Sequence, residues 1–193
     1  MRKIALLTVG FAPKQTEITE MISALIALSE LKVDFKIFAL NREIPLNHHT
    51  LHPLEDLNAK DFDALILPGG RGIGDTFSSW FQDQIKMTVH PQVEKAILDF
   101  YNASSPIGAI CLAPILLAKV LGKHNPNITL GEQFEKTEIL LKWGASVDPC
   151  PSTDFITDRN TKVITTPAYM NEATPFEVYT GIRALVKELV EMA

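Results

Sequence analysis

Only two cysteines, Cys111 and Cys150, occur in 193 residues. Two thiols cannot build a multi-bridge framework, and neither lies in a CxxC or Cys/His spacing that would hold zinc, so both are expected to be reduced. Long apolar runs are lacking too. The stretch between Met1-Arg2-Lys3 and Gly10 holds six apolar or small residues, too few for the core of a signal peptide. No run approaches the roughly 20 apolar residues a membrane-spanning helix needs. The expectation is a cytoplasmic protein with no membrane partner. Positive charge is not in excess: 18 Lys and Arg against 23 Asp and Glu leave a formal net charge of −5. These charges are scattered rather than blocked, which argues against a nucleic-acid partner. Internal repeats and low-complexity tracts are also missing.

What the chain has instead is alternation. Ile4-Ala5-Leu6-Leu7-Thr8-Val9 reads as a buried strand. Residues 17–31 read as an amphipathic helix with Ile18, Met21, Ile22, Leu25, Leu28 and Leu31 on one side and Thr16 as N-cap. Residues 33–38 alternate as a strand does, and the apolar run 64–67 is ended by Pro68-Gly69-Gly70. Further strands are expected over 106–110, 128–130 and 163–166. Helices are expected over 91–104, 114–121, 132–143 and 175–191, the second and third stopped by Gly122 and Gly144. The last helix spaces Phe176, Tyr179, Ile182, Val186 and Leu189 as a core-facing stripe. This order predicts a single α/β domain over 1–193, a doubly wound parallel sheet with helices on both faces. The connections 40–62 and 71–90 are long enough to act as lids or partner surfaces.

In open parallel sheets ligands collect beyond the carboxyl ends of the strands. That rule selects Gly10 to Glu17, Pro68 to Gly74, Cys111 to Pro114 and Pro167 to Met170. Cys111 falls where a buried strand turns into a helix that has Pro114 in its first turn. A thiol there would face unpaired N–H groups that stabilise thiolate and lower its pKa from about 8.5, and that can also hold an oxyanion. Cysteine is also among the most buried residue types, so the local residues leave open a plain core role.

Several strings together resemble a known family. Phe11 to Glu20 with Thr16-Glu17-Ile18, Leu67-Pro68-Gly69-Gly70, Gly108-Ala109-Ile110-Cys111-Leu112-Ala113-Pro114, Asp148-Pro149-Cys150-Pro151 and Thr165-Thr166-Pro167-Ala168-Tyr169-Met170 are similar to the ElbB-type branch of the PfpI/ThiJ superfamily. That superfamily is related to class I glutamine amidotransferases. The likeness spans nearly the whole chain. It implies a flavodoxin-like fold with a nucleophile elbow after a central strand, and a link to isoprenoid biosynthesis. It also implies Cys111 as nucleophile, Glu17 as its carboxylate partner, and the Gly70 and Leu112 N–H groups as an oxyanion hole. Gly69, Pro167 and Tyr169 would line the pocket. By its residues alone, Glu17 reads first as a first-turn carboxylate complementing the helix dipole, and Gly69-Gly70 first as a strand-ending turn.

The chain also departs from that pattern. Amidotransferase and peptidase relatives carry a His soon after the elbow helix, where this chain reads Ile128-Thr129-Leu130-Gly131-Glu132. His124 lies in the preceding loop, so a Cys-Glu pair is expected rather than a Cys-His-Glu triad. Gly69-Gly70-Arg71-Gly72-Ile73-Gly74 lacks both the Gly-Lys-Ser/Thr ending and the GxGxxG order of nucleotide loops. His48, His49 and His52 form the one histidine cluster, read as surface loop rather than metal site. Cys150, between two prolines, is read as structural, and Tyr169 as pocket rim.

The resemblance implies a cofactor-free, metal-free, glyoxalase-like lyase. It would convert small 2-oxoaldehydes such as glyoxal and methylglyoxal to 2-hydroxy acids through a Cys111 hemithioacetal, with Glu17 as acid and base. The alternative of a different class is a redox-sensing or regulatory binding protein whose oxidised Cys111 sulfinate is stabilised by Glu17; a third is a scaffold with a vestigial site. A homodimer is left open.

Overall fold

A computed structural model of the protein describes residues 2–193, so Met1 lies outside the described residues. The chain runs β1 (Lys3–Thr8), α1 (Ile18–Glu30), β2 (Asp34–Ala39), β3 (Leu51–Pro53), β4 (Ala64–Leu67) and the one-turn helices α2 (Gly72–Asp75) and α3 (Trp80–Asp83). It continues with α4 (Pro91–Asn102), β5 (Ile107–Ile110), α5 (Pro114–Leu121), β6 (Asn127–Ile128), α6 (Thr137–Trp143), β7 (Ser146–Val147), β8 (Ile156–Asp158), β9 (Val163–Thr166) and α7 (Pro175–Met192). Seven strands form one sheet in the order β3-β2-β1-β4-β5-β9-β8, and β6 pairs with β7 in a small parallel sheet of its own. Every neighbour in the large sheet is parallel except β8, which is antiparallel to β9. This is the flavodoxin-like α/β architecture.

The central strands are apolar on both sides because both sides are covered. Ile4, Leu6, Ile66 and Ile164 face α1 and α7, whereas Ala5, Leu7, Leu65 and Ala109 face α4 and α5. Leu185 of α7 packs closely over Gly108, where a Cβ would lie 3.0 Å from Leu185 Cδ2.

Three local expectations are corrected, and a strand is found that was not expected. Thr16 does not cap α1: Glu17 does, accepting the Glu20 N–H at 2.7 Å, while the buried Thr16 hydroxyl pairs with that of Thr8. The helix expected over 132–143 starts at Thr137. Its missing first turn is pulled elsewhere, the Glu132 N–H onto Asn171 Oδ1 at 2.9 Å and the Phe134 ring onto Trp80. Phe176 is 74% exposed rather than core-facing, because it lies in the first turn of α7. The apolar face of that helix is carried by Val178, Ile182, Leu185, Val186 and Leu189. The edge strand β8 escaped the pattern altogether. A tight turn joins it to β9, with Asp158 accepting from Asn160 N–H, Thr161 N–H and the Thr161 hydroxyl.

Candidate active site

Cys111 is the first residue after β5 and stands at φ +60°. For a residue with a Cβ this left-handed conformation costs about 1–2 kcal/mol, so the surroundings must hold it. They do: the Cys111 N–H donates to Thr166 O at 2.9 Å, extending the β5–β9 ladder by one bond. The thiol, half-buried at the sheet's carboxyl end, thereby leaves the strand direction and receives the Leu112 and Gly70 N–H groups.

The Gly69-Gly70 turn after β4 is required by space. A Cβ on Gly69 would lie 2.5 Å from both Cys111 Cβ and Glu20 Oε2. Gly70 has φ +117°, and a Cβ there would lie 2.3 Å from Gln15 O. The turn is tied to the segment before α1 by Glu17 N–H to Gly69 O at 3.1 Å and by Gly72 N–H to Gln15 O at 2.9 Å.

The carboxyl that meets the thiol belongs to Glu20. Glu20 is fully buried, and its Oε2 accepts the Gly69 N–H at 2.9 Å. Its Oε1 is buried without a conventional hydrogen-bond partner, and the Cys111 side chain and the Tyr169 N–H both approach this carboxyl. Glu17, expected in that place, is turned aside by its work at the helix start. Glu20 was legible in principle. It is in phase with Ala24, Ala27 and Leu28 on the buried stripe of α1, and an acid on an apolar stripe is unusual enough to single out.

The electrostatics also correct an expectation. Burial, with the charge of Glu17 adding to it, pushes the Glu20 carboxyl up to about 8. Cys111 is not depressed but raised well above the ordinary thiol value, by burial and then by Glu20. The Leu112 and Gly70 N–H groups pull the other way without prevailing. The two groups behave as one unit: a proton missing from the pair is shared between sulfur and carboxyl. Such a unit can present a thiolate beside a neutral acid, or a thiol beside a base.

The four loops selected from the sequence do converge. Gly70 touches Gln15 and Glu17, Gly69 touches Cys111 and Glu20, and Cys111 meets the segment that carries the buried Pro167 and the half-buried Tyr169. An open hollow of about 260 Å³ is lined by Lys14, Gln15, Thr16, Glu17, Ile18, Gly70 and Arg71. Other residues are placed elsewhere. His124 stacks on Tyr101 with ring centres 4.5 Å apart. His49 and His52 lie against Phe35 and Phe38, and His48 is exposed. Among the described residues no group of three or more His, Cys, Asp or Glu could hold a metal ion. Cys150 is buried with its thiol against Pro151 O, and burial with nearby Asp154 and Glu132 pushes it to about 11.

Residues 7–165 match the model of the DJ-1/PfpI family. The chain belongs to the DJ-1/PfpI family, within the class I glutamine amidotransferase-like superfamily. It is 33% identical over 148 residues to the ES1 protein homolog, mitochondrial, of Rattus norvegicus, covering 72% of this chain and 55% of that protein. Its identity to the human glutamine amidotransferase-like class 1 domain-containing protein 3, mitochondrial, is 32% over 148 residues, covering 72% and 54%. The chain therefore spans about half the length of the curated relatives it matches. Among solved structures it is similar to an isoprenoid biosynthesis protein with amidotransferase-like domain from Ehrlichia chaffeensis, with a TM-score of 0.88, 24% identity and coverage of 100% and 99%. A mutant of Schizosaccharomyces pombe DJ-1 aligns with a TM-score of 0.67, 19% identity and coverage of 99% and 91%. These two likenesses show the fold. No helix among the described residues is long and apolar enough to cross a membrane.

Proposed function

We propose that this DJ-1/PfpI protein is a glyoxalase-like enzyme of the ElbB-type branch that converts glyoxal or methylglyoxal to a 2-hydroxy acid without metal or glutathione. The observation that carries the reading is the buried Glu20 carboxyl set against the Cys111 side chain, with the Gly70 and Leu112 N–H groups on the sulfur. In the form of the pair that has lost one proton, the thiolate adds to the aldehyde carbon. The neutral Glu20 gives its proton to the aldehyde oxygen, forming a hemithioacetal. The carboxylate so produced removes the hydrogen from that carbon, and the electron pair moves into an enediol. Glu20 returns the proton to the neighbouring carbon while the hydroxyl proton on the sulfur-bearing carbon passes to the neighbouring oxygen, leaving a thioester on Cys111. Water then cleaves the thioester, releasing the 2-hydroxy acid and the thiol. The net change is addition of one water to the substrate. Oxyanions formed along this path would be held by the two N–H groups.

The strings at 148–151 and 165–170 support the ElbB-type placement, and the name of the Ehrlichia chaffeensis neighbour accords with a link to isoprenoid metabolism. A cytoplasmic location is part of the proposal, although both curated relatives are named as mitochondrial. The test is acid formation from glyoxal and methylglyoxal by purified protein in chelator-treated, glutathione-free buffer. The wild type should turn over slowly and Cys111→Ala not at all. Equal rates for both, or none above buffer, would withdraw the enzyme and leave the redox-sensing alternative.

A further inference from the structure

The turn Ala168–Met170 is held less by regular structure than by side chains reaching in from other loops. Ala168 is fully buried with φ +47°, a left-handed conformation that must be held against its cost. Its carbonyl accepts from the buried Ser152 Oγ at 2.6 Å. Asn171, at the end of the turn, donates from Nδ2 to Ser152 Oγ at 3.2 Å and to Cys150 O at 3.0 Å. Its Oδ1 accepts the Glu132 N–H at 2.9 Å. One amide thus ties together the segments at 131–132, 150–152 and 168–171. Glycines make the room: a Cβ on Gly131 would lie 2.4 Å from Asn171 Oδ1, and one on Gly181 would lie 2.1 Å from Ser152 O.

The tied turn and the end of β9 just before it together touch both members of the reactive pair. Thr166 O accepts the Cys111 N–H at 2.9 Å, and the Tyr169 N–H approaches the Glu20 carboxyl. We propose that Asn171, acting through Ser152, is a positioning residue for the Cys111–Glu20 pair. The bridge holds the left-handed turn, and the turn holds the Tyr169 N–H against Glu20. This rests on the reading of Cys111 as the reactive thiol. The groups facing Glu20 are Cys111 from the elbow, Glu17 from its own helix, and the Gly69 and Tyr169 N–H groups. Of these, the Tyr169 N–H is the one carried by the bridged turn. It favours the ionised pair, so loosening the turn makes the pair keep its proton to higher pH.

The experiment is the pH profile of iodoacetamide alkylation at Cys111, read by peptide mapping so that Cys150 does not contribute. It compares wild type, Asn171→Ala, Ser152→Ala, the double variant, and Leu140→Val as a folded control in the buried face of α6. The two single variants should each move the midpoint upward by about half a unit, a roughly threefold slower reaction below it. The double variant should move it no further than the larger single shift, because both act through one bridge. Leu140→Val should lose thermal stability without a shift. Unchanged midpoints in both single variants, or an equal shift in Leu140→Val, would overturn the positioning role while leaving the proposed function intact. A wild-type Cys111 that resists alkylation at every pH would overturn both.

Discussion

Glu17 and Glu20 are the same side chain one helical turn apart, and the protein uses them in opposite ways. Glu17 stands just outside α1, half-buried, with a carboxylate oxygen on the Glu20 N–H. Glu20 stands inside the helix on the stripe that packs against the sheet, without solvent and with one oxygen lacking a conventional partner. The first arrangement stabilises a helix end; the second creates a group that gives up its proton only near pH 8. Three residues of spacing decide which, because the helix boundary separates the solvated carboxylate from the desolvated one.

The sharpest way to break this comparison is to neutralise each acid in turn. Glu20→Gln should lower aldehyde turnover by about a thousandfold, while Glu17→Gln should stay within about threefold of wild type, since positioned acid–base groups contribute on the larger scale. Comparable losses in the two variants, measured as initial rates on methylglyoxal, would return Glu17 to the chemistry. Gly69→Ala comes next. Its Cβ must displace Cys111 or Glu20 from contacts of 2.5 Å, and misplacement on the ångström scale costs about a hundredfold in rate. A fully active Gly69→Ala would show that the close approach is dispensable.

The pH dependence of stability sharpens the comparison further. The folded pKa of Glu20 lies above its ordinary value of 4.5, at about 8. Its contribution is therefore fully present below about pH 4.5 and lost as pH rises through about 8, by an amount on the order of a few kcal/mol. Urea unfolding across that window should show the wild type falling more steeply than Glu20→Gln. Parallel curves would mean that Glu20 is solvated in the folded protein. The smallest effect belongs to the cap: Glu17→Ala should cost about 1 kcal/mol and, by removing a charge that adds to the upward shift of Glu20, move the midpoint of Cys111 alkylation slightly downward.

Much of this architecture is legible in the residues. Short apolar runs at 64–67 and 107–110 form central strands because a sheet covered on both faces needs no polar alternation, and Val163-Ile164-Thr165-Thr166 joins them with its β-branched side chains. The elbow at Cys111 and the Gly69-Gly70 turn are legible for a related reason: both sit where a strand ends, and ligands gather at that edge. What could not be read is where partners come from afar. The turn 132–136 gives up its helix to Asn171 and Trp80, residues far away along the chain.

Composition, apolar spacing and strand-ending glycines by themselves determined the parallel sheet, the order of its layers and the position of the thiol, because these depend on local periodicity and on which residues must leave water. Tertiary structure alone decided that Glu20 rather than Glu17 meets Cys111 and that the pair holds its protons more tightly than free side chains do. The start of a helix can slip by one residue without disturbing its apolar stripe, and a pKa depends on desolvation, which exists only once the neighbouring loops have closed over the group.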